Sequence, residues 1–161
     1  MSPKVREGMT LVGCVLACEL VGAAGALFTL PAIAGWYAAL RKPSFNPPNW
    51  IFGPVWNTLY LLMGISLWLV LRRGLRGHQI KVAVGLFAIQ LALNALWSPA
   101  FFGLHSPLAG LIVILPLWAA ILLTIVSLLR VSKPAGLLLI PYILWVSFAV
   151  ILNIALFTLN R

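Results

Sequence analysis

Residues 108–129 read LAGLIVILPLWAAILLTIVSLL and contain no charged side chain. An α-helix of about 20 apolar residues crosses the roughly 30 Å of hydrocarbon in a bilayer, so this stretch predicts a membrane span. Four other stretches have the same character, and the five predicted helices cover residues 9–30, 51–71, 82–103, 108–129 and 135–158. The strands of a membrane β-barrel are only about 10 residues long, so these stretches are too long to be barrel strands. Because backbone polar groups cannot be left unpaired in lipid, each stretch is expected to be an α-helix. The sequence therefore predicts an all-α membrane protein with a five-transmembrane-helix bundle.

The composition and charge support one integral membrane domain over residues 1–161. Hydrophobic residues make up 63% of the chain and charged residues only 8%, against about a quarter charged in soluble domains. The net charge of +9 resides at helix ends and in loops, where cations meet phospholipid headgroups, so no nucleic-acid partner is expected. Most cations fall on the N-terminal side of the bundle. The positive-inside rule thus predicts the N-terminus inside and the first loop, residues 31–50, on the trans side.

Within that loop, residues 36–50 read WYAALRKPSFNPPNW and interrupt the apolar pattern. Its prolines restrict the backbone and predict a stiff lid: they are Pro43, Pro47 and Pro48. At the base of the lid, Arg41 and Lys42 are expected to pair either with carboxylates of an amphiphilic ligand or with lipid headgroups. Tyr37 and Phe45 would cover the ligand's apolar body.

Three predicted helices each carry an aromatic stripe at the 3.6-residue period. The stripes are Trp56, Tyr60 and Met63 on the second helix, Gln90, Asn94, Trp97 and Phe101 on the third, and Tyr142, Trp145, Ala149 and Asn153 on the fifth. Singly, such residues are typical of interfacial belts and of polar contacts between helices. Together they predict facing stripes around a flat, apolar cavity with a few hydrogen-bonding groups.

Three segments carry a family resemblance: WYAALRKPSFNPPNWIFGPVWNTLYLLMG, LALNALWSPAFFG and PYILWVSFAVILN. They resemble the TspO family of tryptophan-rich sensory and translocator proteins, also known as peripheral-type benzodiazepine receptors. The resemblance implies a five-helix membrane protein, usually a homodimer, with a pocket under the first loop that takes protoporphyrin or a haem-like tetrapyrrole as ligand. It implies no required cofactor. The ligand-binding positions carried over are Tyr37, Pro47 and Pro48 in the loop, Trp56 and Tyr60, Asn94 and Trp97, and Trp145 and Ala149.

The expected function is a membrane receptor or sensor that binds porphyrin-type tetrapyrroles and similar flat hydrophobic ligands. Two alternatives stay open: an enzyme that degrades protoporphyrin with light and oxygen, and a transporter of tetrapyrroles or lipid. In the enzyme, Trp56 and Trp145 would be the catalytic pair that the resemblance implicates. No metal site is expected, because neither His78 nor His105 falls in a helix core.

The first predicted helix carries small residues at four-residue intervals, typical of close helix packing. They are Cys14, Cys18, Gly22 and Ala26. This stripe is a candidate homodimer interface.

Overall fold

The computed structural model describes residues 2–161, and that part of the chain is helical without any strand. Within these described residues, six α-helices and two π-helical turns follow one another. Their bounds are α1 Pro3–Ala32 with a π-helical turn Ile33–Tyr37, α2 Asn49–Leu71, α3 His78–Ser98 with a π-helical turn Pro99–Gly103, α4 Pro107–Val131, α5 Lys133–Leu138 and α6 Ile140–Leu159. Five helical segments in residues 2–161 are long and apolar enough to span a membrane, with α5 and α6 together forming the fifth. The predicted fold class is confirmed.

The predicted start of the loop 31–50 is wrong, because the chain remains helical through Tyr37 and onward to Ala39. Pro31 lies inside α1 instead of ending it. A proline removes one backbone donor, and the wider turn directly after it lets the helix continue in a shifted hydrogen-bond register. The non-helical lid is therefore the shorter segment 40–48.

The fifth span also differs from its predicted bounds, since a turn at Leu139 separates α5 from α6. Pro141 stands in the first turn of α6, where its missing N–H would have no helical partner in any case. The hydroxyl of Ser66 on α2 donates to the backbone oxygen of Ala135 at 2.8 Å, which attaches α5 to α2.

Small residues bring α1 and α2 into close contact. Cys14 and Cys18 are buried, and the backbone of Gly22 lies against the ring of Tyr60. From α2, Gly64 lies so close to α1 that a Cβ at this position would be 2.5 Å from Cα of Val15. Most of the small-residue stripe of α1 thus packs within the bundle, Gly22 directly against Tyr60 of α2. The prediction of a dimer interface is wrong for these packed residues.

An ion pair fixes one end of this helix pair: Glu7 of α1 and Arg72 after α2 lie 2.8 Å apart. The start of α1 and the end of α2 therefore lie on the same side of the bundle. This is the side that holds most of the cations. Its orientation toward the inside of a cell stays a prediction.

Candidate ligand cavity

A cavity of about 340 Å³ lies between α1, α2, α3, α4 and α6, at the end of the bundle that carries the lid. Seven of the nine predicted site residues line it: Tyr37, Trp56, Tyr60, Asn94, Trp97, Trp145 and Ala149. Pro47 and Pro48 lie outside its wall. Pro48 is the residue before α2 that caps the helix, so its position follows from the helix start. The cavity is instead bordered by the residues that flank the lid, Tyr37 before it and Asn49 and Trp50 after it.

Stacked aromatic rings form two of the cavity walls. On α2, the rings of Trp56 and Tyr60 have centroids 5.6 Å apart and planes 29° apart. At the end of α3, Trp97 and Phe101 stack at 5.2 Å with planes 19° apart. Each pair is four residues apart, the spacing that makes side chains neighbours on one helix face. The two pairs therefore line the cavity with aromatic side chains from one face of each helix.

A chain of buried hydrogen bonds lies beneath the cavity. The hydroxyl of Tyr60 donates to Oδ1 of Asn94 at 2.6 Å, and Nδ2 of Asn94 donates to the hydroxyl of Tyr142 at 2.8 Å. That hydroxyl in turn donates to Oε1 of Gln90 at 3.0 Å. All four side chains are buried. The two amides of the α3 stripe therefore join α2, α3 and α6, and both polar atoms of Asn94 already have a protein partner.

The amide at the far end of the α6 stripe serves a similar purpose. Oδ1 of Asn153 accepts from Nε1 of Trp97 at 3.4 Å, and its Nδ2 donates to the backbone oxygen of Pro107 at 2.8 Å. Asn153 thus holds the orientation of the Trp97 indole.

Trp145 differs from Trp97, because its buried Nε1 has no hydrogen-bond partner within residues 2–161. Its ring instead packs against Phe52 at 5.8 Å and Phe148 at 5.5 Å. The same indole lines both the cavity and a shallow apolar groove on the outside of the bundle between α2 and α6. Trp145 is therefore part of the partition between the cavity and the membrane side.

The start of the lid is held by contacts around Tyr37. Its hydroxyl donates to Oδ1 of Asn46 at 2.9 Å, and Nζ of Lys42 lies 4.9 Å from its ring centroid. The ammonium group also donates to the backbone oxygens of Ala38 and Leu40, at 3.1 and 3.3 Å. Lys42 is consequently used to close the lid on itself.

The lid is also attached to the end of α6. Oδ1 of Asn160 accepts from the backbone N–H of Arg41, and Nδ2 of Asn160 donates to the backbone oxygen of Arg41, both at 2.9 Å. The side chain of Arg41 is exposed, as is that of Phe45, whose ring lies 6.4 Å from Phe148. Arg41 is thus an exposed lid cation, whereas Lys42 is partly buried.

The sequence analysis missed the fourth wall, which α1 and a second face of α2 build. From α1 it includes Gly22, Gly25, Ala26, Thr29, Leu30 and Ile33, and from α2 Asn49, Trp50, Gly53 and Asn57. The α2 residues Asn49, Gly53 and Asn57 recur every four positions, so the helical projection that found the aromatic stripes could have found them. Leu30 is 68% exposed and Trp50 is 74% exposed, so the cavity opens sideways between α1 and α2.

Within residues 2–161, no group of three or more His, Cys, Asp or Glu side chains is arranged to hold a metal ion. The cavity instead offers aromatic faces and neutral polar groups. Fold and cavity together define a multi-pass membrane protein whose tryptophan-rich pocket lies beneath a short extramembrane lid.

Comparison with known proteins identifies the family. The sequence profile of the TspO/MBR family matches residues 14–159. The tryptophan-rich protein TspO of Chlorobaculum tepidum is 51% identical over 96% of this chain and 98% of its own length. The protein of the same name from Archaeoglobus fulgidus is 46% identical over 94% and 97%, respectively. The human translocator protein is 41% identical over 88% of this chain and 85% of its own. The chain belongs to the TspO/MBR family, as the sequence segments indicated.

Proposed function

We propose that this protein is a membrane receptor that binds a porphyrin-type tetrapyrrole, or a similarly flat apolar ligand, in the cavity beneath the lid. The observation that carries the proposal is the pair of stacked aromatic walls, Trp56 with Tyr60 and Trp97 with Phe101, around one apolar space. A flat ring bound among these side chains would gain both buried apolar area and favourable aromatic contacts. The family includes a relative named tryptophan-rich sensory protein, which agrees with a sensing role at the membrane.

The lid suits the polar part of such a ligand. Protoporphyrin carries two carboxylates on one edge of its ring, and the exposed Arg41 belongs to the lid at the same end of the bundle as the cavity. A guanidinium can bind a carboxylate through two parallel hydrogen bonds. The ring would then lie among the indoles while its acidic edge stays at the membrane surface.

Titration of the purified protein in lipid nanodiscs with protoporphyrin tests this proposal, with the shift of the ligand's Soret band as the signal. We expect the Trp56→Phe, Trp145→Phe double variant to bind several times more weakly, since each aromatic contact contributes about 0.5–1.5 kcal/mol beyond area burial and the smaller phenyl ring keeps only part of it. Trp118→Phe is the matched control, because Trp118 lies outside the cavity wall, with its Nε1 bonded to Ser147. Equal affinities in all three proteins would refute binding in this pocket.

Light- and oxygen-dependent breakdown of the bound porphyrin is a second candidate, favoured by one observation. Trp56 and Trp145 line the same cavity, so both indoles would stand beside a photoexcited ligand. Illumination of the complex in air should then give a new absorbing product that the double variant does not form. Bleaching at the rate of free porphyrin, without such a product, would contradict the enzyme proposal.

We also propose a homodimer, as the family resemblance implies. The buried part of the α1 stripe is not available for it, since Cys14, Cys18 and Gly22 lie within the bundle. Light scattering of the protein–detergent complex should give the mass of two chains. A mass of one chain across a range of mild detergents would contradict the dimer.

A further inference from the structure

Asn57 occupies an unusual place at the sideways opening of the cavity. It lies on α2 among residues that line the cavity, yet it is exposed in the five-helix bundle. Asn49 precedes it by eight residues at the start of α2, which at 1.5 Å per residue places Asn57 about 12 Å along the helix axis. Asn57 is thus the ninth of the 23 residues of this candidate membrane span, at a position where a helix of that length is expected to lie in hydrocarbon.

Within residues 2–161 the Asn57 side chain makes no hydrogen bond. The next residue, Thr58, shows how a polar side chain in a membrane helix is usually satisfied. The hydroxyl of Thr58 donates to the backbone oxygen of Pro54 at 2.9 Å, so its polar group is satisfied by its own helix. An unpartnered amide in lipid costs several kcal/mol on transfer scales, and lipid tails provide no acceptor. A bound molecule with a polar atom at this point would remove that cost.

The neighbourhood of Asn57 sets the shape and charge of such a molecule. Gly53, one turn earlier, leaves the surface of α2 open, since a Cβ built there would meet nothing within 4 Å. The cations of the lid, Arg41 and Lys42, lie beyond the start of α2, so carboxylates belong at that end. An ionised group at the depth of Asn57 would be expensive. Hydrocarbon offers no acceptor to the NH₂ group of Asn57, so a neutral acceptor on a bound molecule would satisfy it.

We propose that Asn57 determines specificity by donating a hydrogen bond to a neutral carbonyl group on the ring edge of a flat ligand, which enters the cavity from the bilayer between α1 and α2. This inference rests on the proposed function and adds a selection rule to it. Flat apolar rings fit the cavity in general, and those with a ring carbonyl facing α2 are preferred.

Two flat porphyrins that differ by one carbonyl provide the test: etioporphyrin, and its analogue in which one peripheral methyl group is replaced by a formyl group (the oxo compound). Neither has a carboxylate, so the lid cations do not distinguish them. We expect the protein in nanodiscs to bind the oxo compound about five- to tenfold more tightly, the usual effect of one hydrogen bond from a desolvated group. Asn57→Leu should abolish this preference, and Asn57→Gln, which keeps an amide, should retain part of it. Thr58→Val is the matched control and should keep the full preference.

The possible results separate the two proposals. Binding of both porphyrins with equal affinity, or an unchanged preference in Asn57→Leu, would overturn the role of Asn57 while leaving the receptor intact. If Asn57→Leu instead lowers the fraction of dimer without changing the preference, the amide pairs with a second copy of the chain and the selection rule is wrong. Failure of either porphyrin, and of protoporphyrin, to bind the unaltered protein would remove the receptor proposal as well.

Discussion

Removal of one hydroxyl group, in Tyr142→Phe, should destabilise the bundle more than the same change at Tyr60. The Tyr142 hydroxyl accepts from Nδ2 of Asn94 at 2.8 Å and donates to Oε1 of Gln90 at 3.0 Å, and it is fully buried. The Tyr60 hydroxyl makes one such bond, to Oδ1 of Asn94. The first substitution therefore leaves two buried amide atoms without their partner, and the second leaves one.

Hydrogen bonds between membrane helices contribute about 0.6 kcal/mol on average and up to about 1.7 kcal/mol. Two lost bonds in Tyr142→Phe should thus lower the free energy of unfolding by about 1–3 kcal/mol, and one lost bond in Tyr60→Phe by about half as much. The two changes should be non-additive, because both hydroxyls bond to the same Asn94 side chain.

Reversible unfolding of the protein in mixed micelles with increasing SDS measures these free energies, with tryptophan fluorescence as the signal. The comparison is internal, since both variants replace a buried Tyr by Phe and keep the ring. A loss in Tyr60→Phe equal to or greater than that in Tyr142→Phe would refute the network as the element that joins α2, α3 and α6. Strict additivity in the double variant would show that Asn94 does not couple them.

Three further predictions concern the packing, the lid and the cavity. Gly64→Ala should lower the unfolding free energy by about 1–3 kcal/mol, since its methyl group would overlap α1; Gly85→Ala, where a Cβ meets nothing within 4 Å, should be neutral or stabilising by up to about 1 kcal/mol in the same SDS titration. Asn160→Ala removes both side-chain bonds to the backbone of Arg41, so stopped-flow measurement should show protoporphyrin dissociating several times faster; an unchanged rate would mean that the lid does not retain ligand. Ala149→Leu extends into the cavity and should weaken protoporphyrin binding at least tenfold while lowering the unfolding free energy by about 1 kcal/mol or less; a binding curve identical to that of the unaltered protein would place the ligand elsewhere.

The five spans follow from the sequence because apolar length alone sets them, whereas their ends do not. Pro31 and Pro141 both adjoin apolar runs, yet the first lies inside α1 and the second comes just after a break between α5 and α6. A proline removes one donor in either case. Whether the helix continues depends on the local register that the surrounding helices permit, and the sequence of one helix does not contain that information.

The aromatic walls were predictable for a similar reason, and the wall from α1 was not. Large rings and amides repeat at helical spacing on α2, α3 and α6, and lipid gives such stripes a strong reason to face inward. On α1, residues such as Gly22 and Gly25 line the cavity through the space that they leave. A small residue gives the same sequence signal whether a neighbouring helix or a ligand approaches it. The sequence of the α1 stripe therefore does not distinguish a dimer interface from a packed helix contact or a cavity wall.

The spacing of the inward-facing amides does not tell whether their polar atoms are free to bind a ligand or are bonded to the protein. The sequence predicts that Gln90, Asn94 and Asn153 provide hydrogen-bonding groups for a ligand. In the structure, Oε1 of Gln90 and both polar side-chain atoms of Asn94 and Asn153 are already hydrogen-bonded to other parts of the protein. Their role in the structure is to fix the helices and the Trp97 indole. Because satisfied polar groups discriminate little between ligands, the floor and walls should select for flatness and size. Chemical selectivity then depends on polar groups that the fold leaves unpaired, which include the exposed cation of the lid, Nε1 of Trp145 and the amide at the opening between α1 and α2.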